Sequence, residues 1–87
     1  MARLTYALVL VVWHDAHAVS EWLDPDDIDA DPYVVHTVGH LIPDAKPGHI
    51  VIGQSVGSDG ALDGILYVPA GMVQHLKIIH HTEAAIP

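Results

Sequence analysis

The sequence predicts an all-β fold, a single domain over residues 1–87 built as a five-stranded small barrel with a short helical or loop insertion after the first strand. Three observations carry this. Five short runs rich in Val, Ile and Leu (5–14, 33–43, 49–56, 65–69 and 73–79) are separated by Gly, Pro and Asp. The two longest of the later runs flank Asp44-Ala45-Lys46-Pro47-Gly48. There Pro47 sets φ and Gly48 permits a positive φ, which makes a hairpin turn. Gly39 and Gly53 fall inside these runs, where glycine marks the bulges or sharp bends that a small barrel needs.

The first run, 5–14, is rich in Leu and Val and reads as a strand buried on both faces. Arg3, the apolar stretch 7–13 and Ala16-His17-Ala18 imitate a secretory signal. The stretch is short and is followed at once by His14 and Asp15, so a strand is expected instead. No run reaches the ~20 apolar residues of a transmembrane helix, and no membrane partner is expected.

Residues 15–32 form the one excursion. Ser20 is placed to cap a turn of helix through Glu21, Trp22 and Leu23. Five aspartates follow within 24–31. Asp27, Asp29 and Asp31 alternate as in the opening of a calcium loop, but Pro32 stands where that loop needs glycine and Val38 where it needs glutamate. A solvated acidic loop is the expectation.

The hairpin's register follows from its turn. With 45–48 as the loop, Asp44 pairs with His49, Leu41 with Ile52, His40 with Gly53 and His36 with Gly57. Strand alternation then puts Val35, Thr37, Gly39, Leu41, Ile50, Ile52, Gln54 and Val56 on one face. The other face holds His36, His40, His49, Gly53 and Ser55, with Val38, Ile42 and Val51. A slip by one residue would mix the two sets. Residues 57–64, with three glycines, read as a flexible connection. The strand 65–69 ends at proline. Ala70-Gly71-Met72 is long enough only for one turn of 3₁₀ helix. In the last strand Leu76 and Ile78 share one face, His75 and Lys77 the other. Residues 80–87 read as a tail.

The order of strands, the bent central hairpin and the passage Ile65-Leu66-Tyr67-Val68-Pro69-Ala70-Gly71-Met72-Val73 resemble Sm-like and Src-homology-3-like barrels over most of residues 5–79. Trp13-His14-Asp15, Val38-Gly39-His40-Leu41-Ile42, Val51-Ile52-Gly53-Gln54-Ser55 and Val68-Pro69-Ala70-Gly71-Met72 resemble short uncharacterised proteins of bacteriophages and their actinobacterial hosts. That resemblance implies a phage or prophage origin and a place in the cytoplasm of an infected or lysogenic bacterium. The Sm-like resemblance implies RNA binding in a ring.

Charge argues against the RNA part of that implication. Three Lys+Arg stand against eleven Asp+Glu, a formal net charge of −8, whereas extended nucleic acid is gripped by clustered cations. Protonating all eight histidines would bring the charge to about zero, so solubility is expected to fall towards the pI. The chain has no cysteine, which excludes disulfides and thiolate metal sites. A hydrophobic content of 51% in so short a chain exceeds what a small barrel can bury and predicts a homo-oligomer.

No catalytic motif survives inspection, and the chain is not expected to be an enzyme. Gly53-Gln54-Ser55-Val56-Gly57 spells Gly-x-Ser-x-Gly, but a nucleophile elbow needs a helix after the serine, and a glycine-rich loop follows. Nor does 57–64 carry the Gly-Lys-Ser/Thr of a phosphate loop. His36 and His40 share a strand face, yet four residues of strand separate them by about 13 Å, too far to ligate one ion. No cofactor or metal is expected. Binding is the remaining class. Trp22 and Tyr33 flank the acidic segment as rings that stack on a base or anchor a protein. Lys46, His36 and His40 would meet phosphate. The sharper expectation is a phage-type counter-defence protein that sequesters a small nucleotide signal at a subunit interface. The alternatives are an acidic protein-interaction module, acting as adaptor or inhibitor, and a structural phage component.

Overall fold

The computed structural model describes residues 6–81. Its elements are β1 (Leu8–Asp15), a 3₁₀ turn (Pro25–Asp27), β2 (Tyr33–Ile42), β3 (His49–Val56), β4 (Leu62–Pro69), a second 3₁₀ turn (Ala70–Met72) and β5 (Val73–His80). The strands form one antiparallel five-stranded sheet in the order β4-β3-β2-β1-β5. The all-β expectation and the single 3₁₀ turn before the last strand hold. Among the described residues no ladder joins the edge strands β4 and β5, and the sheet is open.

β1 is the centre. It pairs with β2 along its whole length, from Leu8 opposite His40 to Asp15 opposite Tyr33, and with β5 on its other side. Val9, Val11 and Trp13 point to one face and are buried. Leu8, Leu10, Val12 and His14 point to the other and are only half-buried. The expectation of burial on both faces is therefore corrected: among the described residues no second layer covers the Leu8–Val12 side. Ala7, Val9, Val11, Trp13, Ile52 and Val68 make the core, with Val35, Leu41, Ile50, Leu66 and Val73 packed against it. Trp13 Nε1 donates to Thr37 Oγ1 at 3.0 Å, so the indole keeps its hydrogen bond while its ring is buried.

The central hairpin has the register its turn dictates. His40 pairs with Gly53, Leu41 with Ile52 and Ile42 with Val51. The loop differs in detail: β2 stops at Ile42, Asp44 takes a φ of 55° and Gly48 one of 69°, so Asp44 turns the chain instead of pairing with His49. The ladder also ends at His40–Gly53 and never reaches His36 and Gly57. From there β2 follows β1 and β3 follows β4. At that point β2 and β3 lie close together. A Cβ on Gly39 would collide with Ile52 Cγ2 and lie 2.9 Å from the Gly53 carbonyl oxygen. Only glycine at 39 lets the two strands approach so closely.

Three smaller expectations are corrected. β4 begins at Leu62, not Ile65, because Val56 pairs with Leu62 and Ser55 with Asp63. The connection is thereby reduced to a turn closed by Gly57 N–H donating to Ala61 O at 2.7 Å and Ala61 N–H donating to Asp59 Oδ1 at 3.0 Å. β5 extends to His80. The helical turn expected at 21–23 falls instead at Pro25–Asp27, where proline occupies the first turn and supplies the helical φ. Arg3, Thr5 and the tail beyond His81 lie outside the described residues.

Candidate functional site

Two surfaces stand out once the sheet is in place. The first is the arm, residues 16–32, which leaves β1 at Asp15 and returns to β2 at Tyr33, its direct partner in the ladder. Every residue of the arm is exposed. Six carboxylates (Glu21, Asp24, Asp26, Asp27, Asp29 and Asp31) and no Lys or Arg lie within it. Its conformation is local: Pro25 starts the 3₁₀ turn, Asp27 N–H donates to Asp24 O at 2.9 Å, and Asp31 N–H donates to Asp29 Oδ1 at 2.9 Å. Such short-range bonds to aspartate replace a packed core. Trp22 is 102% exposed, and Val19, Leu23 and Ile28 are exposed with it. Trp22 thus does not cover an end of the sheet. At the root of the arm the rings of His17 and Tyr33 meet with centroids 5.8 Å apart.

The second surface is the uncovered face of the β2-β1-β5 half. The ladders arrange it in rows. Val12 lies between His36 and His75, Leu10 between Val38 and Lys77, and Leu8 between His40 and His80. The Val12 and Leu8 rows each place an aliphatic side chain of β1 between two histidines. Val38 is 56% exposed. His40 is set deeper, and its Nδ1 is buried without a hydrogen-bond partner.

The five residues singled out by sequence do not converge within one chain. Tyr33 and His36 sit at odd and even positions of β2 and face opposite sides of the sheet. Tyr33 and His40 are seven residues of strand apart, about 23 Å. Trp22 is on the arm. Lys46 lies in the hairpin loop, its Nζ 5.0 Å from the centre of the Tyr67 ring, a cation–π contact that holds the ammonium at the far end of the molecule. Beside it His49 Nδ1–H donates to the Pro47 carbonyl at 2.8 Å. The described residues enclose no pocket, and none of their helices is long and apolar enough to cross a membrane.

Sequence reasoning missed Val19, Leu23 and Ile28 as an exposed set, because an apolar residue between aspartates reads equally as a buried staple. It also missed the pairing of His75 and His80 with His36 and His40 across β1. Alternation along β5 put His75 on a face, but only the strand order says which histidines it joins. Compared with protein-family models, curated proteins and solved structures, the chain matches none.

Proposed function

We propose that the protein acts by binding a protein partner through the acidic arm, with Trp22 as the apolar anchor. The observation that carries this reading is the complete exposure of Trp22 inside a segment that holds six carboxylates and no Lys or Arg. Exposed indole of this kind costs solvation and adds nothing to the sheet; at interfaces tryptophan is the residue most often found supplying binding energy. The carboxylates around it favour a basic partner surface and speed encounter. A segment of this length with little structure of its own is typically a binding loop. The test is capture from a cell extract by the immobilised wild-type chain and by Trp22→Ala. The reading expects a set of retained proteins that is lost with Trp22→Ala and reduced by high salt. The same retained set with both chains, indifferent to salt, would sink it.

The framework we assign to this function is a small barrel of the Sm-like kind left open at one seam. The strand order, the close approach of β2 and β3 at Gly39 and the 3₁₀ link Ala70–Met72 support that reading. A phage-type protein that sequesters a nucleotide signal is the second reading, and the rows of His36, His75, His40 and His80 around Lys77 favour it as groups able to meet phosphate. Because the described residues enclose no pocket, the ligand would have to lie between two copies. Calorimetry against cyclic dinucleotides and ADP-ribose derivatives separates the readings: heat of binding favours the second, and none in the whole panel removes it.

A further inference from the structure

We propose that the arm of one copy lies across the histidine-bordered face of a second copy, so that two chains exchange arms. The inference rests on the reading of the arm as the binding element and names its first partner. Four properties of the two surfaces match. Both are unpartnered among the described residues: the arm is exposed throughout, and no layer of residues 6–81 covers Leu8, Leu10 and Val12. Both are apolar at the centre, with Trp22, Leu23 and Ile28 on the arm and Leu10, Val12 and Val38 on the face. Their polar groups are complementary, carboxylates on the arm against the Lys77 ammonium and the imidazole N–H donors on the face. Their lengths agree as well. The 17 residues 16–32, anchored at both ends, reach about 28 Å from the Asp15–Tyr33 pair. The rows run from there to Leu8, about 23 Å along β1.

Reciprocal exchange closes the assembly. Each copy gives one arm and receives one, so the contact is isologous and stops at two chains. Polar groups frame the receiving face. His36, His40, His75, His80 and Lys77 border the apolar rows, and His14 lies next to Val34 at the arm's root. Across the hairpin, Asp63 lies on the same side in β4, with His49 and Lys46 at the loop. Asp63 is thus the one carboxylate of the strands that opposes the arm there. Two chains of formal charge −8 repel as wholes, so the contact depends on this local match of arm and face.

The test is the mass of the full chain by sedimentation velocity in low salt over a range of concentrations. The wild type is expected to pass from monomer to dimer as its concentration rises. Trp22→Ala removes the anchor, and the double variant His36→Glu, His75→Glu reverses the border at two exposed positions. Each alone is expected to dimerise at least tenfold more weakly, with circular dichroism unchanged. A wild type that stays monomeric at every concentration, or a dimer indifferent to both variants, would overturn the exchange. Loss of extract capture by Trp22→Ala together with a monomeric wild type would overturn the exchange and leave the arm's role as a partner-binding element standing.

Discussion

In β1 every second side chain, Val9, Val11 and Trp13, is withdrawn from water, whereas from residue 16 to residue 32 not one is. The two segments are contiguous, and both contain valine, leucine and tryptophan. What separates them is the company of those residues. β1 has a paired strand on each side, so its backbone is satisfied and its alternate side chains reach the core together. The arm has aspartates that bond their own backbone and prolines that interrupt any ladder. Its apolar side chains are consequently left in water. Apolar content alone does not make a core, and the same tryptophan side chain serves as packing at position 13 and as an exposed ring at position 22.

That contrast can be broken from the sheet side first. Ile52→Ala removes a fully buried side chain of the core and is expected to cost about 4 kcal/mol, read as a lower midpoint in urea. Gly39→Ala drives a methyl group against Ile52 Cγ2 and the Gly53 carbonyl, and about 3 kcal/mol is expected. An alanine tolerated there would mean that the approach of β2 and β3 is looser than described. Thr37→Val leaves Trp13 Nε1 without its acceptor and is expected to cost about 1 kcal/mol. Trp22→Ala, a larger truncation than any of these, is expected to change stability by less than about 0.5 kcal/mol. A loss as large as that of Ile52→Ala would show that the arm packs on the sheet after all.

The hairpin was legible in the sequence because its signals are local and redundant. Pro47 and Gly48 place the turn, Gly39 marks the close approach of the two strands, and the alternation of apolar residues leaves one register that separates the faces. The short final link was legible for a similar reason, since three residues between Pro69 and Val73 admit little else. The openness of the sheet was not legible. Closure depends on how β4 and β5 approach each other, and neither carries a local mark of its neighbour. The start of β4 was hidden by glycines: Gly64, with a φ of 70°, reads as loop yet stands within a paired strand. Ser20 promised a helix cap, but Pro25 sets its own turn five residues later. Of the candidate residues, Trp22 was found because an indole beside aspartates is conspicuous. His75 and His80 joined His36 and His40 only through the strand order.

The separation of arm and sheet is tested most directly by replacing residues 16–32 with Asn-Gly and following thermal unfolding. Asp15 and Tyr33 are opposed in the ladder, so a two-residue turn can join them without disturbing either strand. Shortening the loop also lowers the entropy of closing it, by about 2 kcal/mol. An arm that takes no part in the fold predicts one cooperative transition at an unchanged or higher midpoint. A lower midpoint, or the loss of cooperative unfolding, would contradict it.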